Sequence, residues 1–184
     1  MPPAEGTGEE QMWMTRVAAG DDIALQHLFD RWKRPLLSFF YRSLRSHADA
    51  EDLTLEVFVR LHRSAHSYQA TAKFSTYLFH IAHNLLRNEI RHRRRKPADI
   101  VPPELFDLLP QDIGSEQRLT ELEEVLQQAM TRLSEKHRSA LLLIQQQQMD
   151  YPSAAAALRI TENALRVLLH RARQQLKIEM ETAT

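Results

Sequence analysis

The 184-residue sequence contains no cysteine. Disulfides and thiolate metal sites are therefore excluded, which fits a reducing compartment. Glycine occurs only four times, and no apolar–polar alternation marks a strand, so an all-α chain is expected. No apolar run approaches the ~20 residues that a membrane span requires. The opening MPPAEGTGEEQ is acidic and lacks the basic-then-apolar order of a signal peptide. A cytoplasmic protein without membrane insertion is expected. There is no glycine-rich phosphate loop and no nucleophile motif, and paired carboxylates occur only as helix-surface acids, so neither catalysis by the chain nor a cofactor is expected. His62 and His66 stand four apart, and His80 and His83 three apart. Either spacing sets two imidazoles on one helical face, but neither has a third ligand nearby, and no metal site is expected.

What is present is 43% hydrophobic and 26% charged, as in soluble globular proteins. The formal net charge of zero hides a divided chain. Acids concentrate before residue 30 and from Asp99 to Glu135. Bases concentrate at 87–96 and again at Arg166, Arg171, Arg173 and Lys177. Such a chain can hold a polyanion with one part and a basic partner with another.

The first basic block closes the stretch FSTYLFHIAHNLLRNEIRHRRRK, Phe74 to Lys96, around which the chain is organised. Phe74, Leu78, Ile81, Ala82, Leu85, Leu86 and Ile90 recur at steps of three and four, the mark of an amphipathic helix. Ser75 or Thr76 is placed to cap its start, and Pro97 stops it. Its end carries Arg87, Arg91, Arg93, Arg94, Arg95 and Lys96 against the single acid Glu89. The helix dipole accounts for one or two cations there. The rest point to a polyanion, most commonly phosphate backbone, or else to a solvated charge run. Tyr68, Phe74, Tyr77 and Phe79 lie beside this block, with His66, His80 and His83 interleaved. Rings next to cations suit unstacked bases, although the period also suits Phe74 and Phe79 to a core.

The remaining chain reads as helices with marked ends. Residues 1–11, with Pro2, Pro3, Gly6 and Gly8, read as a disordered tail. A helix from Met12 to Ala19 stops at Gly20, and Asp22 caps the next. That helix breaks or kinks at Pro35 before Leu36–Leu44. Ala50 to Arg63 follows, with Asp49, Asp52 and Glu56 on one ridge. The ridge is explained by the helix dipole or by docking of a basic partner. Residues 64–73 form a polar loop. Residues 97–115 hold Pro97, Pro102, Pro103, Pro110 and Gly114 and read as a linker between two small domains. The apolar cluster Leu105, Phe106, Leu108 and Leu109 interrupts it. Helices then cover Glu116–Leu133, Glu135–Gln148 after Ser134 as cap, Ser153–Leu158, and Glu162 to about Glu179 with Thr161 as cap. Gln145–Gln148 is a short glutamine run. A short helix, a tight turn and a longer basic helix describe a helix-turn-helix or a plain helical hairpin. In the first case Thr161, Glu162, Asn163 and Arg166 meet base edges and phosphates.

These residues carry a resemblance. Asp49-Ala50-Glu51-Asp52-Leu53 with Glu56-Val57-Phe58, Phe74 through Arg95, Leu133-Ser134-Glu135-Lys136-His137-Arg138, and His170-Arg171-Ala172-Arg173-Gln174-Gln175-Leu176 resemble the signatures of the extracytoplasmic-function (ECF, group IV) sigma factors of bacterial RNA polymerase. The resemblance spans about Asp21 to Leu176. It implies a region 2 domain over 12–96, the linker 97–115, and a region 4 helix-turn-helix domain over 116–180. It further implies core RNA polymerase as partner, held at the clamp by Asp49, Asp52, Glu56 and Arg60 and at the β-flap by region 4. Promoter DNA is the other partner. The −10 element falls to Tyr68, Lys73, Phe74, Tyr77, His80, Asn84, Arg87, Arg91, Arg94 and Arg95, with the loop Ser64–Lys73 receiving a flipped base. The −35 element falls to Thr161, Glu162, Asn163, Arg166, His170, Arg171 and Arg173. Family membership also allows an anti-sigma factor, which no residue identifies. The sequence departs from the family pattern at Tyr77 (usually Trp), His83 (Arg), Asn88 (Asp), Leu55 (Gln) and Arg159 (Gly), and Ala154–Ala157 replaces a more mixed helix. The rival readings are a stand-alone helix-turn-helix regulator and a helical adaptor that binds only protein.

Overall fold

The computed structural model describes residues 8–95 and 116–183, with 116–123 and 182–183 as backbone only. The linker and its apolar cluster lie outside the described residues, as does most of the N-terminal tail. Among the described residues every regular element is helical: α1 (Glu9–Ala18), α2 (Asp22–Leu44), α3 (His47–Ser64), α4 (Phe74–Arg95), α5 (Glu116–Arg132), α6 (Glu135–Leu141), α7 (Tyr151–Leu158) and α8 (Glu162–Ala183). A short 3₁₀ turn follows α3 over Ala65–Ser67.

α1 begins at Glu9, inside the stretch read as tail. Glu9 and Glu10 occupy its first turn, where the dipole favours acids. Arg31 of α2 pairs with both, at 2.8 and 3.2 Å. α2 is capped by Asp21, one residue before the expected Asp22; its carboxylate accepts from the Ile23 and Ala24 amides. The Arg16 hydrogen bond, seconded by these amides, holds that carboxyl below the usual range.

Of the break or kink expected at Pro35, the break does not occur, and α2 runs through it. An interior proline costs about 3 kcal/mol. Trp32, Leu36, Phe39 and Phe40 lie on either side of it and are at most 2% exposed. Burying such side chains contributes roughly 1.5–3 kcal/mol each, so packing outweighs the lost bond. Phe79 of α4 meets Trp32 and Phe39 edge-on, at 6.2 and 5.6 Å between centroids. α3 closes the other side with Ala50, Val57, Phe58 and Leu61. Ser46 caps it, accepting from the Asp49 amide.

In the second unit α5 and α6 pack on α8, and α7 packs along α4. Ser134 caps α6 as expected. The helix expected to reach Gln148 instead ends at Leu141 and continues as a π-helical turn over Leu142–Gln146. Asp150 caps α7 through the Ser153 amide, and Thr161 caps α8 through the Ala164 amide. Between α7 and α8, Arg159 adopts φ 55° and ψ 46°, the left-handed region. A side chain there costs roughly 1–2 kcal/mol that glycine avoids. Arg159→Gly is therefore expected to raise unfolding free energy by about 1 kcal/mol, read by urea denaturation. A loss of stability would show that the arginine makes compensating contacts.

Candidate nucleic-acid interface

The acidic ridge on α3 is only partly as expected. Asp49 pairs with Arg93 of α4, which also bonds Glu89 at 2.9 Å. Asp49 thus ties two helices together and is withdrawn from the outer face. Asp52 is exposed and makes no ion pair among the described residues. Glu56 accepts from Arg60 at 2.8 Å on the surface. Leu55 and Val59 stand beside them, 54% and 41% exposed. Asp52, Leu55, Glu56 and Val59 follow at steps of three, one and three, so they form a single mixed stripe. Val59 escaped the sequence reading because its type and spacing also suit a core.

On α4, Phe74 is 4% exposed and packs on Trp32 at 5.9 Å and on Tyr68 at 6.4 Å. It is core, and a base cannot stack on it in this arrangement. Tyr68 and Tyr77 face one another at 5.0 Å and are half-buried. The Tyr77 hydroxyl shares a 2.6 Å hydrogen bond with Ser64. Burial pushes the Tyr68 phenol up. This pair fixes the root of the loop ending at Lys73. Arg87, Arg91, Arg94 and Arg95 are exposed. With Arg60, Leu53, Leu85 and Asn88, Arg91 and Arg95 line a groove of about 460 Å³ between α3 and α4.

The middle of α4 faces the second unit. His80 Nδ1 lies 2.9 Å from the Ala157 carbonyl, and Asn84 Nδ2 lies 2.9 Å from His80 Nε2. One tautomer meets both contacts: Nδ1–H donates to the carbonyl and Nε2 accepts from the amide. Lys73 pairs with Asp150 at 2.8 Å. That bond, with the bonds from Ser153, lowers the Asp150 carboxyl to about 2. His83 is buried with Nδ1 3.2 Å from Glu135 of α6. Sequence reasoning missed Glu135, Asp150 and Ala157 because their partners are distant in the chain.

Burial, then the charges of Arg87, His80 and Lys136, lowers His83 to about 4. Burial raises Glu135, against Arg87, Lys136, Arg138 and Arg91. The two act oppositely on stability. His83 favours the folded chain above pH 6.5, and that contribution is lost as pH falls toward 4. Glu135 gains a proton more readily when folded, which favours folding on acidification. Glu135→Gln isolates the imidazole. It is expected to lose up to about 3 kcal/mol of stability between pH 6.5 and 4 beyond a His83→Gln/Glu135→Gln control, measured by urea unfolding. Equal pH profiles would remove His83 as the cause.

The cap Thr161 and, on α8, Glu162, Asn163, Arg166, His170, Arg171 and Arg173 are all exposed. Asn163, Arg166, His170 and Arg173 recur at three and four and share a stripe. The Arg166 guanidinium lies 4.9 Å over the Tyr151 ring, which holds it at the mouth of the turn.

These features define a two-part helical protein with a basic face on one unit and a helix-turn-helix on the other. The sequence matches the family Sigma-70 region 2 over residues 28–96 and Sigma-70, region 4 over residues 123–176. It is 27% identical to the RNA polymerase sigma-H factor of Pseudomonas aeruginosa, over 91% of this chain and 92% of that one. It is 27% identical to the ECF RNA polymerase sigma factor SigW of Bacillus subtilis, over 90% and 93%. It is 31% identical to the ECF sigma factor SigE of Mycolicibacterium smegmatis, over 85% of this chain and 60% of that one. The fold is shared with CnrH in its complex with the cytosolic domain of CnrY, at TM-score 0.72 and 20% identity, covering 96% and 99%. It is also shared with RpoE of Bartonella quintana in complex with the anti-sigma factor NepR, at TM-score 0.68 and 23% identity, covering 85% and 96%. The chain belongs to the ECF class of RNA polymerase sigma factors. No helix among the described residues is long and apolar enough to cross a membrane.

Proposed function

We infer that this chain is a promoter-specificity subunit: it binds core RNA polymerase and directs transcription initiation at promoters of its own. The observation that carries this reading is the order of a region 2 and a region 4 match on one chain. The chain itself acts as a non-enzymatic factor in the cytoplasm. Within region 2, taken as 12–96, the stripe Asp52, Leu55, Glu56 and Val59 is the polymerase-facing surface, with Arg60 beside it. The loop ending at Lys73, with Tyr68, Tyr77, His80 and Asn84, holds the −10 strand, and Arg87, Arg91, Arg94 and Arg95 hold its phosphates. Region 4, taken as 116–180, reads the −35 element through Thr161, Glu162, Asn163 and Arg166, with His170, Arg171 and Arg173 along the backbone. An anti-sigma factor is a further partner in this reading, as NepR is for RpoE of Bartonella quintana.

The test is the salt dependence of promoter binding by the assembled polymerase. Each phosphate contact contributes about 0.7 on a single strand and about 0.9 on duplex to the slope of log K against log salt. Arg91→Ala/Arg94→Ala/Arg95→Ala is expected to lower that slope by about 2 to 3. An unchanged slope would mean that these arginines are merely solvated.

A further inference from the structure

The outward face of α8 carries one side chain with no part in the reading so far. Asn163, Arg166, Val167 and His170 follow at steps of three, one and three and share that face. Three of them are polar. Val167 is not, yet it is 44% exposed, while Leu165 and Leu169 on the opposite face are buried. Val167 therefore adds nothing to the core. Ala164, three residues before it, is exposed as well. The two make a small apolar notch in the first two turns of the helix. One isopropyl and one methyl group fall far below the few hundred Å² that roughly mark a protein-docking patch. Cations flank the notch: Arg171 is exposed beyond it, and Arg166 is held 4.9 Å over the Tyr151 ring. Arginines on both sides suit the phosphates of a duplex and leave the notch facing base edges between them. Those edges offer one apolar group in the major groove, the C5 methyl of thymine.

We propose that Val167 is a specificity-determining residue: it selects a thymine in the −35 element by seating the C5 methyl of that base against its side chain, in the notch it forms with Ala164. The proposal rests on the reading of α8 as the −35 helix. To the polar contacts assigned there it adds one apolar contact that only thymine supplies. Uracil at the same place pairs identically but leaves the isopropyl group without its partner. Burying one methyl group corresponds to about fourfold in affinity.

The test uses the full chain assembled with core polymerase, and promoter fragments recovered from a genomic library by binding to that assembly. Each thymine of the −35 element, on either strand, is replaced singly by deoxyuridine, which removes the C5 methyl and leaves base pairing unchanged. Competition against the parent fragment reads the effect. At one thymine the replacement is expected to weaken binding about fourfold. Val167→Ser is expected to cut that factor to under about 1.5-fold, and Val167→Thr, which keeps one methyl, to retain most of it. Serine and valine have similar helix propensities and the side chain is exposed, so the fold is kept. Each variant is compared with itself on two fragments, so a general loss of affinity does not enter. An equal factor for the unaltered chain and Val167→Ser, or no −35 thymine sensitive to its methyl, overturns the assignment; if Arg166→Ala still weakens binding, the reading of α8 stands without it. If Arg166→Ala and every base change in the element leave binding unchanged, α8 does not read the element and the assignment falls with that reading.

Discussion

Asp52→Lys/Glu56→Lys is expected to weaken binding to core RNA polymerase by at least about a hundredfold and to leave the fold intact. The stripe on α3 sets two carboxylates beside the exposed Leu55 and Val59. An apolar strip flanked by acids suits a partner surface that is itself apolar and basic. Reversing both charges puts like against like, and such juxtaposition costs several kcal/mol. Each 1.4 kcal/mol is about tenfold in affinity, so a hundredfold loss needs only about 3 kcal/mol. The cost to the chain is small by comparison. Both side chains point outward, and the Glu56–Arg60 pair is a surface pair worth about 1 kcal/mol at most. Fluorescence competition for core polymerase checks the first half, and thermal melting the second. Unchanged affinity at an unchanged melting temperature would move the docking surface elsewhere.

Arg138→Ala is expected to cost about 3–5 kcal/mol of stability, far more than a surface arginine. Its guanidinium is buried and donates from Nε to the Met130 carbonyl at 2.8 Å, and from Nη2 to those of Thr131 at 2.7 Å and Leu133 at 3.0 Å. Nη1 reaches the Ser43 carbonyl. Three of these carbonyls lie at or just beyond the last turn of α5, and Ser43 is in the last turn of α2. The carbonyl ends of two helices thus converge on one cation, which both dipoles favour. Burial pulls the guanidinium down and Glu135 supports it, but arginine stays charged in proteins. Removing it takes a charged donor from all four carbonyls, of which that of Met130 keeps the Leu133 amide at 3.3 Å. Arg138→Lys recovers only part of the loss, because an ammonium cannot match the planar fork. Urea unfolding reads both changes. A loss under about 1 kcal/mol for alanine would mean that water replaces the guanidinium freely.

The sequence reading succeeded where the signal was local. The caps at Ser134 and Thr161, the buried stripes of α3 and α4, and the exposed basic end of α4 all follow from spacing within one helix. It failed where a distant residue decides. Pro35 does not break α2, because aromatic packing from α4 outweighs one lost hydrogen bond. Phe74 reads equally as a stacking ring or as core until Trp32 is placed against it. Asp49 belongs to the acidic ridge by period, yet Arg93, 44 residues away, claims it. The glutamine run and the alanine helix carry no periodic message. Their sense comes from contacts such as Gln147 to Pro35, 112 residues apart. Arg138 stood inside a recognised signature with no role attached, and only the convergence of two helix ends supplies one.

The measurement that bears most directly on the account is run-off transcription by core polymerase on a library of genomic promoter fragments, with and without this chain. The account predicts new transcripts with discrete start sites that appear only when the chain is added and vanish with Asp52→Lys/Glu56→Lys. No new transcripts, together with tight binding of the chain alone to duplex DNA, would contradict it and identify a regulator that works without joining polymerase.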